Sequence, residues 1–275
     1  MPTDAHSPAQ TLAHTRREHL AALLGLGSLL AGGCASAPSA PTWPLRVFSS
    51  GGFFAAYDAM LPSFERESGI PVQTERGASG GGAPDSIPER LARGERADVV
   101  ILSRGGFRRL AEAGFVVPES RIDLVRSKIG MAVREGAPIP DISTPDAFVA
   151  ALRAARSIGY SASASGTYLS ADLWPRMGLW AELAPNARRI ESERVASVVA
   201  RGEVEVGFQQ ISEILPIPGA AYAGPIPEDL QKTTVFSAGL VRGGDSVRGT
   251  RLLRFVSDPA RADLIRSVGL EPVNL

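Results

Sequence analysis

Histidine, cysteine and lysine are nearly missing from this chain. Its three histidines, His6, His14 and His19, all precede its single cysteine, Cys34, and its only lysines are Lys128 and Lys232. A body that begins at Cys34 therefore has no imidazole, and no thiol once Cys34 is modified. Ser-His-Asp triads, cysteine nucleophiles, histidine acid–base catalysis and the usual zinc sites are excluded from it. Net charge is absent too, with 29 basic against 29 acidic residues. Nothing in that balance neutralises a phosphate backbone, so nucleic acid is not an expected partner. What remains is ordinary: 275 residues, 44% hydrophobic and 21% charged, enough for one large core or two smaller ones.

The first residues do not read as fold. In "TRREHLAALLGLGSLLAGGC", Arg16 and Arg17 precede an apolar stretch too short to span a bilayer, the pattern of an export signal over 1–33. Thr-Arg-Arg-x-x-Leu resembles a twin-arginine signal, with His19 where Phe is usual. Leu30-Ala31-Gly32-Gly33-Cys34 resembles a lipobox, in which Cys34 carries the lipid. An unpaired cysteine in an exported protein fits that role. Residues 34–44, rich in Ala, Ser and Pro, suit a tether. The expectation is a periplasmic lipoprotein, exported by a twin-arginine or general secretory route and held to the membrane through Cys34 only.

From residue 45 short β-like runs alternate with longer helical ones, which predicts an α/β fold. Strands are expected at "LRVFS", "VQTER", "ADVVILS", "KIGMAVR", "SIGYS", "VEVGFQQ" and "TTVFSAGLVR". The run Val99-Val100-Ile101-Leu102 is apolar on both faces, as in a buried parallel strand. Helices are expected after most of these strands. The one beginning at Gly51 should break near Pro62, another should end at Pro175, and Thr144 should cap a third.

Uncharged polar residues collect where strands end: Ser49-Ser50-Gly51-Gly52, Ser79-Gly80 in "GASGGG", Ser163, Ser165 and Gly166 in "SASASGTY", and Gln209-Gln210. In open α/β sheets ligands bind beyond strand carboxyl ends, where helix N-termini point their amides. Taken singly, these residues are N-caps and turn formers. Together they describe a neutral cradle for an anion. Arg134, ending "KIGMAVR", is either a charge for a carboxylate or a solvated arginine. Glu213 is either a general base, or a surface carboxylate or a cap. "SGGG" lacks the spacing of a phosphate loop, and no cofactor is implied.

These motifs resemble the periplasmic type II solute-binding proteins of the molybdate-binding family, from about residue 45 to the C-terminus. "SSGGFFAAYDAMLPSFERESGIPV" resembles that family's opening strand–helix–strand, which places a ligand serine at Ser49 or Ser50. "GASGGG…IPERLARGERADVVILS" places a second at Ser79. "SASGTY" implies a backbone contact near Ser165, and "ERVASVVARGEVEVGF" another near Val195. At 207–210 the family reads Gly-Ile-Val-Tyr where this chain has Gly-Phe-Gln-Gln, so Gln210 replaces an anion-touching tyrosine. "SASGTY" with "GFQQISEILPIPG" is closer to a branch that includes bacterial aconitate isomerase.

The resemblance implies two lobes, each a mainly parallel sheet flanked by helices: 45–127 plus 236–275, and 128–235. It implies a monomer that captures a small carboxylate or oxyanion between its lobes for an ABC-type importer and its permease. The alternative it implies is an isomerase acting on cis- and trans-aconitate, with Glu213 as base.

Overall fold

The computed structural model describes residues 43–80 and 82–273. The export signal, Cys34 and the tether up to residue 42 lie outside the described residues. The chain runs β1 (Leu45–Ser49), α1 (Gly51–Ser68), β2 (Val72–Arg76), α2 (Ile87–Ala92), β3 (Val99–Ser103), α3 (Arg104–Glu112), β4 (Ile122–Ser127), β5 (Ile129–Arg134) and α4 (Pro145–Ala154). It continues through β6 (Ile158–Ser161), α5 (Ala164–Tyr168), α6 (Trp174–Arg176), α7 (Trp180–Leu183), β7 (Ala187–Ile190), α8 (Val195–Ala200), β8 (Val206–Gln210), α9 (Ile211–Ile214) and β9 (Ala220–Pro225). Then follow β10 (Thr234–Leu240), α10 (Ser246–Val256), α11 (Ala262–Ser267) and β11 (Glu271–Pro272).

These strands make two sheets, ordered β11-β4-β10-β3-β1-β2 and β7-β6-β8-β5-β9. The chain leaves the first sheet at Ser127, enters the second at Ile129, and returns between Pro225 and Thr234. Period-two alternation builds both faces of the first sheet. Leu45, Val47, Val99 and Ile101 pack with α1, α10 and α11, while Phe48, Val100 and Leu102 pack with α2 and α3. Each large side chain so buried contributes roughly 1.5–3 kcal/mol. In the second sheet Ile158, Tyr160, Val206 and Phe208 face α4 to α6, and α8 covers the other face. Gly159 and Gly207, paired in register, let α8 approach. A Cβ on Gly207 would lie 2.6 Å from both Val195 Cγ1 and Val199 Cγ2.

The architecture is the expected two-lobed α/β fold, and the sheets are mixed. β1, β2 and β3 pair in parallel, as do β6, β7 and β8, whereas the β3–β10, β10–β4 and β4–β11 pairs of one sheet and the β8–β5 and β5–β9 pairs of the other are antiparallel. Two helix boundaries differ from expectation. α1 passes through Pro62 without ending, because the ring lies on the exposed face while Met60 and Phe64 anchor the helix in the core. At Pro175 the helix continues to Arg176, preceded by a π turn over Leu169–Leu173 whose wider hydrogen bonding accommodates the missing N–H. Thr144 caps α4 as expected, accepting from Ala147 N–H at 3.2 Å.

Candidate active site

Parallel β1, β2 and β3 bring their carboxyl ends, Ser49, Arg76 and Ser103, to one edge of the first sheet. Parallel β6, β7 and β8 do the same in the second sheet with Ser161, Ile190 and Gln210. Residues at and beyond these ends line two adjoining chambers of about 420 and 730 Å³, with Ser163 lining both. A larger hollow, about 910 Å³, sits at the amino edge of the first sheet around Arg46, Asp98 and Arg248. Its acidic groups at the floor are already engaged, although Arg46 Nε is buried without a hydrogen-bond partner. Asp98 accepts from the Arg46 and Asp245 N–H groups, and Arg248 pairs with Asp245 at 2.7 Å.

The smaller chamber is built around Glu213. This carboxylate follows β8 on α9, which is pinned to α1 by Ser212 donating to the Gly52 carbonyl at 2.7 Å. Glu213 is only 9% exposed. A Cβ on Gly51 would lie 1.8 Å from its Oε1, so the carboxylate occupies space that only glycine leaves free. It thereby sits at the N-terminus of α1, where Ser50 makes no side-chain cap. Gln209, also buried, accepts from Ala196 N–H at 3.3 Å through Oε1, which leaves its amide N–H groups to donate to Glu213. Loss of water raises the Glu213 carboxyl from 4.5 to about 7, against the opposing pull of Arg194, Gln209 and Arg76.

Two guanidinium groups face the same chamber. Arg76 ends β2 and stacks on the Phe54 ring, 3.4 Å from its centroid. Burial and the like charge of Arg194 hold Arg76 below the ordinary arginine range. Arg194 immediately precedes α8. Among the described residues neither arginine has a carboxylate within ion-pair distance. Glu191 and Glu193, which also line the chamber, are already paired with Arg189 and Arg201, each at 3.0 Å. Asp85 completes the lining, with Oδ1 buried and without a hydrogen-bond partner. Two unpaired cations held together repel, and an anion between them relieves that cost.

The residues singled out in the sequence are only partly gathered here. Gly51, Ser163, Gln209 and Glu213 line the smaller chamber; Ser79, Gly80 and again Ser163 line the larger. Ser79 Oγ accepts from Ser103 N–H at 2.9 Å. Ser49 is buried with its hydroxyl on the Ser50 carbonyl (3.4 Å), and Ser50 Oγ is buried without a partner. Ser165 and Gly166 serve the helix start. The Ser165 hydroxyl lies 3.0 Å from that of Ser161, and a Cβ on Gly166 would fall 1.7 Å from the Ser161 carbonyl oxygen. Val195 is a core residue packed on Gly207. Gln210 donates to Thr234 Oγ1 at 3.3 Å, linking the two sheets, while its Oε1 is buried without a partner.

Arg134 is displaced from the site. β5 is antiparallel to β8, so its first residue, Ile129, lies opposite Gln210 and its last, Arg134, is exposed about 17 Å further along the strand. The charge comes instead from Arg76 and Arg194, and the cradle is not neutral. Arg76 obeys the strand-end rule that singled out the serines. Arg194 stands in the charged stretch "ESER" and carries no such signal.

The fold and its interlobe cleft are those of a two-lobed periplasmic-type binding protein. The chain belongs to the bacterial extracellular solute-binding protein family, whose sequence profile matches residues 45–271. It is 42% identical over 251 residues to an aconitate isomerase from a Pseudomonas species, covering 91% of this chain and 96% of that one. Among solved structures it is similar to the periplasmic molybdate-binding protein of Azotobacter vinelandii, at TM-score 0.64 and 18% identity over 82% of this chain and 98% of that chain. It is likewise similar to a sulfate-binding protein of Mycobacterium tuberculosis, at TM-score 0.64 and 17% identity over 84% and 87%. At those identities the structural likeness speaks for the fold alone.

Proposed function

We propose that this protein is an isomerase of the aconitate isomerase type, which holds an unsaturated polycarboxylate in the interlobe cleft and shifts its double bond by moving one proton. The observation that carries this reading is the buried Glu213 carboxyl facing the same chamber as two guanidinium groups that lack counter-ions. Its likeness to an aconitate isomerase supports the choice of substrate.

The chemistry balances without a cofactor. Glu213 takes a proton from the CH₂ carbon, and that C–H electron pair becomes the new C=C. Electrons of the old C=C move to the far alkene carbon and its carboxylate, and the proton returns from Glu213 to that carbon. A carboxyl titrating near 7 can take and return a proton at neutral pH. Arg76 and Arg194 hold the carboxylates and stabilise the charge that develops on them. Gln209 orients Glu213, and the Ser50 and Ser163 hydroxyls supply further donors. Lobes 45–127 plus 236–275 and 128–235 close over the substrate through the two crossings. The protein acts outside the cytoplasm as a monomer, tethered through lipidated Cys34.

Membership of a solute-binding family favours a second reading, capture of the anion for an ABC-type importer. One assay separates the two. Proton NMR of cis-aconitate mixed with micromolar protein should show conversion to the trans isomer, and trans should convert back. Binding without any change in either isomer refutes the isomerase and leaves the carrier.

A further inference from the structure

The larger chamber, about 730 Å³, has no part in the proton shift, yet its lining also carries cations without counter-ions among the described residues. Arg109 of α3 lies against the loop after β2, where a Cβ on Gly80 would approach its Nη2 to 2.8 Å. Lys232 holds its ammonium 4.9 Å from the Tyr168 ring centroid, and that ring is fixed by its hydroxyl donating to the Leu230 carbonyl at 2.9 Å. Among the described residues neither cation has an acidic group within ion-pair distance. The other charges in the lining are largely spoken for. Arg104 pairs with Asp123 at 3.3 Å and Asp172 with Arg176 at 3.2 Å, leaving Glu89 as the one unpaired acid. Ser86, also in the lining, buries a hydroxyl without a partner.

The two chambers meet at Ser163 and are floored by neighbouring strand ends. Arg76 ends β2, and Ser103, beside Arg109's helix, ends β3, with β1 between them. That places the two floors about 10 Å apart, two strand spacings, a gap that a six-carbon polyacid gripped at each end by long cationic side chains can cover.

We propose that the larger chamber is a subsite for a second, distal carboxylate of the same substrate, with Arg109 and Lys232 as the residues that select a polyacid charged at both ends. This rests on the reading of the smaller chamber given above. Calorimetric titration with propane-1,2,3-tricarboxylate, which has no double bond to shift, and with malonate, too short to span the chambers, tests it. The wild-type protein should prefer the tricarboxylate. Replacing both cations (Arg109→Ala with Lys232→Ala) should weaken the tricarboxylate about tenfold or more and malonate by less than about twofold, as expected for lost charge-assisted bonds. Arg76→Ala should weaken both acids. Arg109 and Lys232 are exposed, so an unchanged melting temperature should accompany their loss. If the double variant binds the tricarboxylate as well as wild type, or loses both acids equally, the subsite is refuted while the first chamber stands. If the wild-type protein binds neither acid, the first-chamber reading falls and the subsite falls with it.

Discussion

Replacing Glu213 with glutamine keeps the shape of the protonated side chain and removes its ability to ionise. In the folded protein this carboxyl titrates at about 7, against 4.5 when freely hydrated. Below pH 4.5 both the folded and unfolded chains hold the proton, and the protonated form's advantage is fully present. Between 4.5 and 7 the unfolded chain releases the proton while the folded chain keeps it, so stability falls as pH rises. Above 7 the wild-type protein carries the full cost of a buried carboxylate. At about 1.4 kcal/mol per tenfold change in proton affinity, that cost is about 3 kcal/mol. The Glu213→Gln protein should therefore match wild type in urea denaturation at pH 4 and exceed it by about 3 kcal/mol at pH 8, while losing at least about a hundredfold in isomerase rate. A stability difference that stays constant from pH 4 to 8 would refute the buried, raised carboxyl. Wild-type rates in the variant would refute its role as base.

The contact between Gly51 and Glu213 can be tested by a pair of variants. Gly51→Ala should cost about 1–3 kcal/mol by thermal denaturation and abolish turnover, but cost little in a Glu213→Ala background, where the carboxylate it strikes is gone. Arg134→Ala should leave ligand affinity unchanged and stability within about 0.5 kcal/mol, since the side chain is exposed at the far end of β5. Gly207→Ala should push α8 off its sheet at a cost of about 1–3 kcal/mol, recovered in part by Val199→Ala, with urea midpoints as the readout.

The cleft-lining serines and glutamine were legible because their position follows from local pattern alone. A strand that alternates between two cores, as Leu45 and Val47 do against Phe48, must stop where its polar residues begin, and Ser49, Ser50 and Gly51 mark that stop. The same reasoning located Gln209 and brought Glu213 into view one turn later. It could not read β4 ("IDLVRS"), separated from β5 by Lys128 alone, nor β7 ("ARRI"), β9 ("AAYAGP") and β11 ("EP"), none of which alternates apolar with polar residues.

Strand direction was a different kind of information. Nothing within "KIGMAVR" states whether it runs with β8 or against it, and the answer moves Arg134 from one end of the sheet to the other. The charges of the site escaped notice for a related reason. Arg76 closes a half-exposed edge strand and Arg194 lies in a run of charged residues, so each reads locally as a solvated side chain. Only the facing of two sheets brings them to one chamber, where among the described residues neither has an acid within ion-pair distance. Glu213 acquires its raised pKa in the same way, from packing against Gly51, 162 positions earlier in the chain. The residue types needed for a proton shift were thus visible in the sequence, but the desolvation that would let a glutamate do the work of a histidine is a property of the folded cleft. With every histidine placed before Cys34, desolvating a carboxylate is one way for the folded body to hold a group titrating near neutrality, and that makes the Gly51–Glu213 contact the point on which the proposed chemistry depends.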